Sequence, residues 1–99
     1  MFKNGMRPVH PGEILREDYL AELGMSANAL ANALKVPAPR INDIVRERRG
    51  ISADTALRLA RYFDTTPQFW LNLQTAYDLR IAEAAVGKKI AREVPKLAA

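Results

Sequence analysis

Residues 38–49 read APRINDIVRERR, an alternation of amide, carboxylate and guanidinium groups with branched apolar side chains. At about 100° per residue, Ile41, Ile44 and Val45 share one side of a helix. Pro39, Asn42, Asp43 and Arg46 share the other, with Ala38 nearby and Arg40 on the flank. Such a helix buries its branched side and turns its hydrogen-bonding groups outward. An Asn pairs bidentately with adenine and an Arg with guanine, and an Asp accepts from cytosine N4. Asn42 and Arg46 are therefore expected to read bases in a DNA major groove. Asp43 either reads cytosine or orients Arg46 three residues on. Arg40, Arg48 and Arg49 are placed for phosphates, as is the start of the preceding helix around Ser26 and Asn28. The plainer reading of all these residues is a solvated polar helix face.

The elements needed to hold that face are legible around it. In SANALANALKVPAPRINDIV, residues 26–45, Leu30, Ala31 and Leu34 lie on one side of a first short helix. Val36 plugs the turn, and Ala31 is small enough to let the second helix approach closely. This is the spacing of a helix-turn-helix. Ser26 is a good N-cap. Pro37 and Pro39 prevent the second helix from beginning much before Pro37, because proline is tolerated only in a helix's first turn. The pattern predicts that this helix runs to about Arg48 and stops at Gly50. Many such motifs have Gly at the turn position held here by Lys35.

The flanking segments also read as helices. GEILREDYLAELG repeats Leu15, Tyr19 and Leu23 every fourth residue and ends on Gly24. Ser52 caps a fourth helix in which Ala56, Leu59, Ala60 and Phe63 form a buried stripe. Thr66-Pro67 opens a fifth, QFWLNLQTAYDLRIAEAAV. The expected fold is therefore all-α, a five-helix lambda-repressor-like helix-turn-helix domain with a long C-terminal helix. Its expected divisions are an N-terminal arm over 1–9, the domain and its dimerisation helix over 10–86, and a basic tail over 87–99 that can fray.

Composition narrows the function classes. The 99 residues carry a net charge of +4 and contain no cysteine, so disulfides and thiolate metal sites are excluded. A reducing cytoplasm is the expected compartment. No apolar run reaches the roughly 18 residues of a membrane span, and MFKNGMRPVHPG lacks a signal peptide's apolar region. The first helix is acidic through Glu13, Glu17, Asp18 and Glu22. Basic residues gather at Arg46, Arg48 and Arg49 and at Lys88, Lys89, Arg92 and Lys96. That division suits a DNA binder of fixed orientation. The single histidine, His10, reads as a helix-start polar contact rather than a catalytic base. No enzyme activity, cofactor or metal is expected.

The fifth helix is apolar on more than one face, which points to a second chain. Phe69, Trp70, Leu73, Tyr77 and Ile81 are the expected dimerisation residues. The plainer reading is that Trp70 and its neighbours fill the domain's own core, as is expected of Trp70 itself. A two-fold homodimer would set two reading helices about 34 Å apart on a palindromic operator. A pure protein-interaction module with a helix-turn-helix shape is the competing class, and the Arg46, Arg48 and Arg49 cluster argues against it.

The segments RPVHPGEILRE, VPAPRINDIV, RRGISADTALRLARYF and TPQFWLNLQTAYDL, in that order, resemble the HigA-type antitoxins of bacterial toxin–antitoxin modules. The resemblance covers residues 7–81 and includes the run Phe69-Trp70-Leu71-Asn72-Leu73-Gln74. It implies a homodimeric DNA-binding antitoxin that represses its own operon. It also implies a small cognate toxin, in this family a ribosome-dependent mRNA endonuclease of RelE-like fold. Within it, Arg40, Asn42 and Asp43 align with the operator-reading segment. The N-terminal arm, Phe2 to Arg7, and the acidic face of the first helix are candidates for meeting a basic toxin. A solitary phage-repressor-like regulator without a toxin is the alternative.

Overall fold

The computed structural model describes residues 7–98 as five helices, with no strand among the described residues. The first, α1 (11–23), is continuous but changes pitch. Pro11–Ile14 and Ala21–Leu23 are α-helical, and Leu15–Leu20 between them is a π-helix. His10 is its N-cap, with Nδ1 accepting from the Gly12 N–H at 2.8 Å. Gly24, with φ 60°, closes it in the left-handed conformation. The π turn corrects the expected Leu15, Tyr19, Leu23 stripe. A wider turn brings residues five apart onto one face. Leu20 therefore joins Leu15 in the core, and Leu23 is turned out to 58% exposure.

The next two helices are α2 (Ala27–Leu34) and α3 (Ala38–Val45). The Ser26 hydroxyl accepts from the Ala29 N–H at 3.0 Å and caps α2. Lys35 ends it at φ 62°, a conformation in which a non-Gly residue costs on the order of 1 kcal/mol. Pro37 is the extended N-cap of α3, as the two prolines require.

The far end of α3 differs from expectation, because the helix stops at Val45 rather than near Arg48. Arg46 leaves helical geometry at φ −87°, ψ 3°, and Glu47 turns left-handed at φ 63°. The Arg48 N–H then folds back to the Asp43 carbonyl at 2.8 Å. This early turn lets Ile51 reach the core, where it is buried. Gly50, the expected stop, is not the residue that reverses the chain.

Ser52 caps α4 (Ala53–Phe63) by accepting from the Thr55 N–H, and Asp64 ends it at φ 56°. Thr66 caps α5 (Pro67–Glu93), accepting from the Phe69 N–H at 3.1 Å. The α5 helix runs without a break through Gly87, where a separate basic tail was expected to begin, and ends at Glu93. A helix-interior glycine costs about 1 kcal/mol, which weakens a helix without ending it.

Leu15, Leu20, Leu30, Ala31, Leu34, Ile41, Ile44, Ile51, Ala56, Leu59, Ala60 and Trp70 form one core. Ala31 is buried where α2 meets α3, and Val36 packs against the core from the turn. Trp70 is the one buried residue of α5. Its indole N–H donates to the Thr65 hydroxyl at 2.8 Å, and its ring meets Tyr19 and Phe63. Leu71 and Leu73 pack against this core, the later turns of α5 extend beyond it, and the molecule measures 52 × 26 × 23 Å.

Candidate nucleic-acid interface

Burial of Ile41 and Ile44 fixes the rotation of α3 and leaves the opposite side of that short helix toward solvent. Asn42 and Asp43 are half-buried there, and Pro39 stands exposed in the first turn. Arg46 is exposed at the C-cap, just past the helical residues rather than within them. Arg48 and Arg49 follow in the exposed turn. Neither Arg46 nor Arg48 makes an ion pair among the described residues.

Two hydrogen bonds tie Asn42 in place. Its Nδ2 donates to the Ala38 carbonyl at 3.0 Å and to Asn28 Oδ1 at 2.7 Å. The second bond joins α3 to the start of α2, beside the Ser26 cap. Ser26, Asn28, Ala38 and Asn42 therefore gather at one edge of the motif. The Asp43 carboxylate does not pair with Arg46, as an i+3 relationship would have it. It accepts from Arg49 at 3.4 Å, because the left-handed Glu47 swings the chain back over α3.

Arg40 is less free than a dedicated phosphate contact. It donates to Asp54 Oδ1 at 2.8 Å, and that same oxygen accepts from Arg58 at 2.8 Å. The Arg58 hydrogen bond, and then that from Arg40, holds the Asp54 carboxyl below its ordinary value. Arg58 also donates to the Leu34 carbonyl at 2.8 Å, closing the end of α2.

Four residues without an expected role position this face. Gly12 lets α1 lie directly on the backbone of α3 at Ile44. Arg16 donates to the Val45 carbonyl at the end of α3 and pairs with Glu47 at 3.4 Å. Arg58 braces α2, and Gln74 of α5 accepts from the Ile51 N–H at 2.7 Å, pinning the segment after the basic turn. Pro11-Gly12 at a helix start was the one local signal among them; the others depend on long-range contact. Residues 1–6, and with them most of the expected arm, lie outside the described residues. Arg7 forms a two-point ion pair with Glu13, its nitrogens at 2.8 and 2.9 Å from the two carboxylate oxygens.

The expected dimerisation residues divide. Trp70 is fully buried in its own domain and has no surface left for a second chain. Leu73 packs on the core, and Tyr77 is half-buried with its ring 4.8 Å from that of His10. Phe69 and Ile81 are exposed. The apolar face continues past them as a shallow groove lined by Leu79, Ala82, Glu83, Val86, Gly87 and Ile90. No described helix is long and apolar enough to cross a membrane.

Residues 15–70 match a helix-turn-helix family model. Virulence-associated protein I of Dichelobacter nodosus is 67% identical over 81 residues, 82% of this chain and 75% of its own length. The Pseudomonas aeruginosa antitoxin HigA, solved with the higBA promoter, superposes with a TM-score of 0.91 at 62% identity. That match covers 93% of this chain and 100% of the other. Antitoxin GraA in complex with its operator gives 0.90 at 61% identity, covering 100% of both chains. With its fold, its motif and most of its length shared in this way, the chain belongs to the HigA antitoxins of the helix-turn-helix family.

Proposed function

We propose that this protein is a sequence-specific antitoxin that binds the operator of its own operon, represses it, and neutralises a RelE-like mRNA endonuclease. The observation that carries the reading is the outer side of α3. There the half-buried Asn42 lies on a helix braced from behind by Gly12 and Arg16, and Arg46, Arg48 and Arg49 stand exposed in the cap and turn that follow it. A relative at 62% identity has been solved with a promoter and another at 61% with its operator, which supports the same use of this surface. In this reading Arg46 reads a base from the helix end, and Arg48 and Arg49 meet phosphates. The work is expected in the cytoplasm.

A homodimer is part of the proposal, paired through the outer half of α5. Exposed Leu79, Ile81, Val86 and Ile90 favour that region over Trp70. The toxin would meet the acidic side of α1, where Glu17 and Asp18 are exposed.

Fluorescence anisotropy at about 150 mM salt tests the DNA reading, since non-specific binding is then typically 10⁻⁴–10⁻⁶ M. The probe is the duplex upstream of the protein's own gene, with a shuffled duplex as control. Nanomolar binding to the native duplex alone is expected, and equal weak binding to both would overturn it. Co-expression with the product of the adjacent open reading frame tests the antitoxin reading. Relief of that product's growth arrest is expected; an adjacent product without toxicity would favour the solitary regulator.

A further inference from the structure

The hydrogen bonds of Asn42 constrain which bases it can accept, an inference that rests on the operator-binding reading. Its Nδ2 carries two hydrogens, and both are used inside the motif, on the Ala38 carbonyl and on Asn28 Oδ1. A backbone carbonyl can only accept, so the contact with Ala38 fixes which end of the Asn42 amide faces the protein. With Nδ2 turned inward, Asn28 must offer its oxygen to that nitrogen. What remains outward is the Oδ1 of Asn42, an acceptor, and the Nδ2 of Asn28, a donor.

We infer that Asn42 presents an acceptor-only edge to the major groove and therefore selects a base bearing an exocyclic amine, with Asn28 enforcing that choice from α2. Adenine N6 and cytosine N4 both donate in the major groove, whereas guanine and thymine offer N7, O6 or O4 acceptors that would oppose Oδ1. The bidentate adenine contact expected of an isolated asparagine needs an Nδ2 hydrogen on N7, and either the bond to Ala38 within α3 or the bond to Asn28 on α2 would have to break for it. Asn28 touches no base in this arrangement. It is a positioning residue, and its outward amide hydrogens are free for a phosphate oxygen.

The test uses the full chain and the duplex upstream of its own gene. Single base-pair substitutions first locate the position at which Asn42→Ala binding becomes indifferent to sequence. An adenine there is replaced by purine, which lacks the N6 amine, and separately by 7-deazaadenine, which lacks N7. A cytosine there is replaced by 2-pyrimidinone, which lacks the N4 amine. Removing the amine is expected to weaken wild-type binding about tenfold, with 7-deazaadenine tolerated within about twofold.

Asn28→Ala releases one Asn42 hydrogen. It is expected to make 7-deazaadenine costly if the base is adenine, and to reduce discrimination at that position in either case. A merely structural role would instead lower affinity for all sequences equally. Equal losses with purine and 7-deazaadenine in the wild type would overturn the inference, as would a guanine or thymine contact or no such position. Absence of wild-type binding to the duplex would instead overturn the operator-binding reading, and this inference with it.

Discussion

A Cβ added to Gly12 would stand 1.8 Å from the carbonyl oxygen of Ile44. The atom it meets belongs to the backbone of α3, so no side-chain rotation can relieve the clash. Gly12→Ala must push α1 off α3. We expect a loss at or above the roughly 1–3 kcal/mol typical of overpacking, and weaker operator binding, because α3 shifts with the contact. Calorimetry with anisotropy on the same samples checks this. An unchanged melting temperature would mean that the two helices can separate at no cost.

Arg16 acts on the next carbonyl. Its guanidinium donates to Val45 and pairs with Glu17 at 2.9 Å and Glu47 at 3.4 Å. Arg16→Met is expected to cost about 1 kcal/mol in urea unfolding, a modest figure because the site is part-exposed and water can replace the donor. Operator affinity should fall further than stability does, since the freed carbonyl and Glu47 lie beside Arg46. Equal affinity in the two proteins would show that the Arg46 turn is held by other contacts.

These two contacts also mark where the sequence stops being readable. Caps at Ser26, Ser52 and Thr66 were legible, because an N-cap is a contract between residues three apart. The buried Ala31, Leu30 and Leu34 followed from helical spacing alone. The end of α3 was not legible. Its stop uses a left-handed Glu47 held near Arg16, a residue distant in sequence, while the glycine that looks like a terminator goes unused for that purpose. The same turn gives Asp43 an Arg49 partner where helical continuation gave Arg46. The inward Leu20 was hidden by a π turn that breaks the period on which the reading relied.

His10 makes stability depend on pH. Burial pushes its imidazole below the ordinary 6.5, and the opposing influence of Glu47 and Asp78 is smaller. The unfolded chain therefore takes up a proton before the folded one does. Stability from this group is complete above about pH 6.5 and is lost as the pH falls from there through the folded-state value. Protonation at Nδ1 would also remove the acceptor that caps Gly12. The melting temperature should drop between about pH 7.5 and 5.5. His10→Asn, which can cap without titrating, should flatten that part of the curve. An identical slope in the variant would assign the pH dependence to the carboxylates.

Asp54 restrains two cations at the edge of the interface, Arg40 and Arg58, each 2.8 Å from one carboxylate oxygen. Asp54→Asn removes a charge that phosphates would repel and frees the Arg40 guanidinium. Affinity for shuffled DNA is expected to rise, with a salt dependence steeper by about one unit of log–log slope. Affinity for the native duplex should rise less, so the specificity ratio falls. Unchanged salt slopes on both duplexes would leave Arg40 outside the DNA contact altogether.

The outer half of α5 is where a second copy is expected. Trp70 serves the core, so Trp70→Ala should destabilise the single domain by about 3–5 kcal/mol and cannot test association. Val86 is exposed on the groove with Leu79 and Ile90, away from the core residues. Val86→Glu therefore leaves each domain intact, while placing a charge beside Glu83 in a surface that must be dry to pair. Light scattering is expected to give half the wild-type mass. The DNA consequence follows from linkage. Two joined reading helices bind adjacent half-sites as one event, and separated ones do not, so operator affinity should fall by roughly 10². A dimeric mass for Val86→Glu would move the pairing surface elsewhere, with Phe69 and Ile81 the next positions to charge, and a monomeric mass for the wild type would overturn the homodimer.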